Sequence, residues 1–553
     1  MIRTKVSKLI PPKYKHLIRK LTGQNRYYDW SRLAAKIARK DVEDAKLRVG
    51  FVTSSGGHRS GNLLEPGLSL ALNNDGISTS VLLCDGVLRA CNITEYWNQC
   101  GHLERFLSGG PQATSTCDGC ASRGIETWNT TNSEIFKYSE FVGRSNDDLF
   151  ADEFLDDFKF RYRGFDIGEH VRSASLRFLC RGTFDFSADE TLPVVRRYFN
   201  AAVQTVDVAL GYIEAAEPDI VVCFHGIYVP HGVIGEVARS RGIRVVNWNT
   251  SYRQSRVLFS EGDTYHKTMC YEKERKWITE LDSSELSDIE TYLLGRETGV
   301  DDWQQFNDNP DMNILGDDML SNFLSRFKKV FLLLPNVIWD AQLQYEPTIY
   351  PDMASWVIET IRLFKDKPKH GLVIRIHPAE IRRYSTTREP LMDIIIKAVK
   401  KIPDNVHIIR ADEEHSTYRL AENVDASIIF GTKTGLELAA VGHPVIVCGE
   451  AWIKDKGMSF DPKTIEEYES LLFHSDLQVT EEMQSRALRF AHHFFERAAI
   501  KVEFLKATHK NLTPTIDDSQ VDIIASGGSP GLNSIVAELK DGHGKFIGGD
   551  VKQ

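Results

Sequence analysis

Two stretches in the last third of the chain carry residue types suited to gripping a phosphate. Leu372 to Ile376 reads as an apolar strand that ends on His377-Pro378, with Glu380 just beyond. Further on, Ser427 to Phe430 reads as a second strand, running through Gly431, Thr432, Lys433, Thr434 and Gly435 into a helix that contains Glu437. The first turn of a helix leaves backbone N–H groups unpaired and carries a partial positive charge. A phosphate placed there gains both, and threonine hydroxyls add donors. An imidazole at a strand end can donate to a phosphate oxygen, and the following proline holds it there. Thr432, Thr434 and Gly435 are therefore expected to contact phosphate together with His377, and Glu437 to accept from ribose hydroxyls. Asn336 and Asp340, which follow the apolar run Lys329–Pro335, are expected at the same edge. The carboxyl edge of a parallel sheet is where open α/β folds bind ligands, so the pattern implies a nucleotide-linked substrate.

A second group of residues suits proton transfer. Ser54-Ser55-Gly56-Gly57-His58 follows an apolar strand, and its two glycines allow close backbone approach to a ligand. Transfer of a group to a hydroxyl needs a base near the attacking oxygen. His58 suits that role by type, and Asp85, after the strand Ser78–Leu83, is its rival. His225, before Gly226 at the end of another strand, is a lesser candidate. Lys454, Lys456 and Gly457 are read either as closing over a phosphate or as surface charge. Five of the nine cysteines fall between Cys84 and Cys120. Cys117 and Cys120 have the tight spacing that lets two thiolates face one metal. Cys84 and Cys91 would complete a four-sulfur site, with Cys100 or His102 as substitutes. Zinc or an iron–sulfur cluster there would be structural, and no cofactor is required for the chemistry.

These residues need a scaffold, and the rest of the chain supplies one. Strand-like runs at 47–56, 78–83, 218–224 and 242–247 alternate with helical runs at 63–72, 192–216 and 232–241, the mark of βαβ units. A second series has strands at 329–335, 372–376, 406–409, 426–430 and 444–448, with a helix over 353–364. The fold class read from this is α/β, with two Rossmann-like domains facing across a cleft, the architecture called GT-B. The expected parts are a basic N-terminal arm (1–45), a first domain (46–281) with a Cys-rich insertion at about 89–190, an acidic connection (282–328), a second domain (329–510) ending in one long helix over 481–506, and a weakly ordered tail (511–553).

Composition narrows the classes. With 553 residues, 42% hydrophobic and 26% charged, the chain is of ordinary globular make-up. A net charge of -10 argues against a general nucleic-acid binder. No apolar run reaches membrane-spanning length, and no secretory signal is read at the N-terminus. Arg3, Lys5, Lys8, Lys13, Lys15, Arg19 and Lys20, interleaved with apolar residues, suit an anionic membrane surface. The expected location is cytoplasmic, with the inner face of the membrane as a peripheral site.

The segments Ile374-Arg-Ile-His377-Pro378 and Gly431-Thr-Lys-Thr434-Gly435-Leu-Glu437, continuing to Gly442-His443-Pro444-Val445, resemble the capsule polysaccharide biosynthesis family of GT-B glycosyltransferases. That family includes enzymes transferring Kdo from CMP-Kdo, and it is similar to bacterial sialyltransferases with a His-Pro motif. The resemblance implies nucleotide-phosphate contact by His377 and by Thr432 or Thr434. It also implies an inverting glycosyl transfer from a CMP-, UDP- or GDP-linked sugar to a glycan or lipid-linked acceptor, in the assembly of a cell-surface polysaccharide or glycolipid. Gly-Thr-Lys-Thr stands where relatives usually show serine. Three other activities suit the same architecture: a CDP-polyol phosphotransferase of the teichoic-acid type, a sugar-nucleotide epimerase, and a non-catalytic, metal-stabilised envelope-assembly protein.

Overall fold

Strands buried on both faces read as unbroken apolar runs, and the chain contains two sets of them. The computed structural model describes residues 28–37, 47–94, 103–114, 116–143, 149–297, 299, 301–303, 310–341, 347–381, 387–508 and 511–547. These divide into two units. The described parts of Met1–Leu179, Asp185–Tyr265 and Ala499–Gln553 form the first, and those of Cys180–Phe184 and His266–Ala498 the second. The fold class expected from the sequence, α/β with two Rossmann-like domains, is the one observed.

The first unit is built on a seven-stranded sheet in the order Ala499–Lys501, Arg256–Glu261, Arg244–Thr250, Ile220–Phe224, Arg48–Ser54, Ser78–Leu83, Glu134–Lys137. The last five of these run parallel, and the first two are added antiparallel. Helix Gly61–Asn74 packs Leu64, Leu68 and Leu72 into a core with Phe51, Trp128, Trp248 and Phe504.

The second unit has a five-stranded, wholly parallel sheet in the order Val406–Ile409, His370–Arg375, Lys329–Leu334, Ala426–Ile429, Val445–Val447. Helix Met353–Lys365 shows how local sequence supports this layer. Asp352 accepts from Ser355 N–H at 2.7 Å as its N-cap. Trp356, Val357, Thr360, Ile361 and Phe364 follow at helical spacing and are buried against the sheet.

The structure differs from the expected boundaries at several places. Most of the N-terminal arm lies outside the described residues, but Trp30, Leu33 and Ile37 within 1–45 are buried in the first unit's core. The segment expected as an insertion is not set apart, because it contributes the edge strand Glu134–Lys137 and the buried Trp128. The acidic connection contains helix Ser283–Leu294, opened by a reciprocal capping box between Asp282 and Glu285. The single long helix is instead Glu481–His492, a π-helical turn over His493–Ala498, and the strand Ala499–Lys501. Glycine- and serine-rich composition suggested a loose tail, yet helix Pro530–Asp541 buries Leu532, Ile535 and Leu539, and Phe546 stacks on Phe259 with ring centroids 5.3 Å apart. Its apolar residues recur every three to four positions, a period that the flanking glycines obscured.

Truncating Leu539 to alanine removes a fully buried side chain and should cost about 2–5 kcal/mol. Hydrogen exchange of the Arg48–Ser54 strand, followed as urea is raised, should show opening at lower denaturant. An unchanged profile would mean that the C-terminal helix is not part of this core.

Candidate functional site

In the second unit, three adjacent parallel strands deliver the expected phosphate-binding residues to one edge. Lys329–Leu334 lies between His370–Arg375 and Ala426–Ile429, with neighbours about 4.8 Å apart. Asn336, His377 and Thr432 each follow the end of one of these strands, so they form a row with Asn336 in the middle. Asn336 Nδ2 donates to the Gly431 carbonyl at 2.9 Å, tying the central strand's exit to the threonine loop.

His377 is fixed as a neutral donor. Its Nδ1 accepts from Ala379 N–H at 3.1 Å and caps the short turn Pro378–Glu380. In the neutral ring the proton then sits on Nε2. Burial, followed by the nearby charges of Arg375 and Lys433, pulls its pKa down to about 4, with Asp340 opposing. At neutral pH it offers an N–H rather than a charge. Arg375, which the sequence reading passed over, braces this segment. Its guanidinium is buried and donates to the carbonyls of Ile376, Arg410 and Glu413 at 3.0, 2.6 and 2.7 Å.

The threonine loop divides its roles. The helix that follows it spans only Thr434–Ala440. Thr432 Oγ1 lies 3.5 Å from Thr434 Oγ1 and 3.4 Å from Thr434 N, contacts long enough to leave both hydroxyls able to turn to a ligand. Gly435 N–H is taken by the Thr432 carbonyl at 3.1 Å. A Cβ at Gly435 would lie 2.3 Å from Ile429 Cδ1, so this glycine lets the helix seat on its strand. Glu437 is not available to a ribose. It is buried, bonded to Lys433 Nζ, to Arg296 Nε at 3.1 Å, to Tyr418 Oη at 2.8 Å and to Tyr292 Oη at 3.3 Å. Burial alone would raise its pKa, but Lys433 and Arg296 outweigh that and hold it ionised. Lys454 pairs with Glu450 at 3.1 Å, and Lys456 is buried against the Cys270 carbonyl at 2.5 Å, so neither is poised over a ligand.

In the first unit, His58 stands at the start of helix Gly61–Asn74. Its Nδ1 accepts from Gly61 N–H at 3.1 Å, and its ring lies 4.0 Å from that of Phe224. Burial, with His231 nearby, depresses its pKa to about 3, so it is a weak base. Asp85 is more open. It accepts from Ser139 N–H at 3.1 Å and lines a concave surface of about 500 Å³ with Gln112, Asp118, Ser122 and Glu126. His225 takes a left-handed backbone, φ 66°, at the same sheet edge. Sequence reading missed Glu65, which accepts from Trp248 Nε1 at 2.8 Å and from the Thr53 hydroxyl and is pushed up to about 8 by burial. Its signal was a lone carboxylate inside the apolar run Leu63–Leu68.

Cys84, Cys91, Cys117 and Cys120 are free thiols that line one small enclosed cavity in the first unit. Among the described residues no group of three or more His, Cys, Asp or Glu is arranged to hold a single metal ion. Cys100 and His102 lie outside the described residues. Also among the described residues, no helix is long and apolar enough to cross a membrane.

No family model matches the chain, and no curated protein matches it. Solved structures do. The β-Kdo 2,4 transferase KpsC of Thermosulfurimonas dismutans is 13% identical over 56% of this chain and 87% of its own, with a TM-score of 0.34. The glycosyltransferase SnogD of Streptomyces nogalater is 14% identical over 82% and 96%, TM-score 0.26. The UDP-GlcNAc 2-epimerase of Methanocaldococcus jannaschii, solved with UDP-GlcNAc and UDP, is 9% identical over 80% and 98%, TM-score 0.26. The chain itself is an α/β protein of two Rossmann-like units, with a donor-rich sheet edge in the second.

Glu437→Ala would leave Lys433 and Arg296 as buried cations without their shared carboxylate, at a cost of about 3–5 kcal/mol. Chemical denaturation should show a clear drop in midpoint, and a loss below 1 kcal/mol would remove Glu437 from its central place. The histidines His58, His231, His377 and His443 all have depressed folded pKa values, at about 3, 4, 4 and 4. Below about pH 6.5 the unfolded chain binds protons that these sites refuse. Their contribution is therefore complete above that pH and is lost as pH falls toward 4. Denaturation midpoints measured from pH 7 to 5 should fall, with a shallower slope in His231→Gln.

Proposed function

We propose that the chain is a GT-B glycosyltransferase that moves a sugar from a nucleotide-sugar donor to a growing cell-surface polysaccharide or glycolipid. The observation that carries this is the row His377, Asn336 and Thr432 on adjacent strand ends, with a neutral Nε2–H donor and two threonine hydroxyls at one edge. A nucleoside monophosphate or diphosphate leaving group would be held by these donors. As the acceptor oxygen bonds to the anomeric carbon and the bond to phosphate breaks, the leaving group gains negative charge. The donors stabilise that charge in place, without reorganising solvent.

We assign the acceptor's proton to Asp85, which lines a concave surface. His58, with its Nδ1 committed to Gly61 N–H and its basicity suppressed, is the weaker choice. Inversion at the anomeric carbon follows from the resemblance of the His-Pro and threonine segments.

A panel of CMP, UDP and GDP, read by thermal shift, tests the reading. One nucleotide should raise Tm, and His377→Ala should weaken its binding roughly tenfold, the equivalent of one charge-assisted hydrogen bond. Response to none of the three would overturn the proposal. Turnover of a nucleotide sugar without any acceptor would indicate an epimerase instead.

A further inference from the structure

Four of the cysteines that the proposed transfer does not use come together from two separate stretches of chain. Cys84 follows the strand Ser78–Leu83, and Cys91 precedes the helical turn 92–94. Cys117 and Cys120 lie three apart on helix Thr116–Trp128 and so share a face. All four are reduced and line the same enclosed cavity, whose remaining walls include Leu88, Ile93, Pro111 and Pro230. The sulfurs stand around a void instead of closing on one point.

The second observation is what surrounds the sulfurs. Gly57 N–H donates to Cys120 Sγ at 3.0 Å, and the Ser55 hydroxyl lies 3.7 Å from the same sulfur. Neutral thiols in an apolar pocket have little use for such donors. Thiolates bound to a metal centre need them, because N–H···S bonds disperse ligand charge and tune the centre.

We propose that Cys84, Cys91, Cys117 and Cys120 ligate a [4Fe–4S] cluster. On loading of an intact cluster from a thiolate carrier, four iron–thiolate bonds to this chain form as four to the carrier break, the four protons pass to the departing carrier thiolates, and no oxidation state changes. Its place is structural. A Cβ on Gly56 would lie 2.1 Å from the Cys120 carbonyl oxygen and 2.3 Å from Gly124 N, so the Ser54–His58 loop and the cysteine helix are in backbone contact. The cluster therefore clamps the loop that carries His58 and the strand end that carries Asp85.

The full-length chain, purified without air and untagged, should contain roughly four irons and four acid-labile sulfides per molecule. It should show a broad visible absorption that bleaches with dithionite. Cys91→Ser and Cys117→Ser should each lose most of the iron, whereas Cys223→Ser, outside the cavity, should keep it. Should the serine variants fail to fold, anaerobic reconstitution of the wild-type chain with iron and sulfide decides alone. One zinc per chain without sulfide would overturn the proposal, as would no metal uptake under either condition.

Discussion

The second unit is organised around one buried carboxylate. Glu437 gathers Lys433, Arg296, Tyr418 and Tyr292 into a single polar knot beneath the threonine loop. Arg296 is held on its other side by Asp302, so the charges are shared rather than isolated. Burying ions is costly unless every partner is met. Here the knot joins the short helix Thr434–Ala440, the helix Thr417–Glu422 and the chain just after Ser283–Leu294. The position of the two threonine hydroxyls depends on that junction, because their helix has fewer than two full turns with which to hold itself in place.

The other half of the edge is fixed differently. Arg375 is buried and donates from its guanidinium to three carbonyls. Its charge then adds to burial in holding His377 unprotonated. A neutral imidazole and a nearby fixed cation together make a donor site whose character does not change across the physiological pH range.

Much of this was legible in the sequence. Leu-Val-Ile-Arg-Ile and Ser-Ile-Ile-Phe are strands by composition, so the fold class and the position of His377, Asn336 and Thr432 after strand ends followed from pattern, whereas the strand order that sets Asn336 between the other two did not. Glu437 was misread because amphipathic spacing cannot say whether a carboxylate meets solvent or two cations from distant segments. Lys456 was misread for the same reason, since its partner is the Cys270 carbonyl. Glu65 stands in a leucine-rich helix as a lone carboxylate, and sequence does not show that burial there makes it hold its proton. The cysteine segment looked like an insertion because its strand, Glu134–Lys137, has four residues and no long apolar run.

The strand Ala499–Lys501 has a bearing on biosynthesis. It completes the edge of a sheet whose other strands lie between Arg48 and Glu261, and the helix Pro530–Asp541 then fills the same core. During translation, Arg256–Glu261 therefore emerges with one side unpaired and stays so until the whole second unit has left the ribosome. Exposed strand edges recruit other chains. Vectorial synthesis thus leaves that edge waiting for its partner while nearly half of the chain is made.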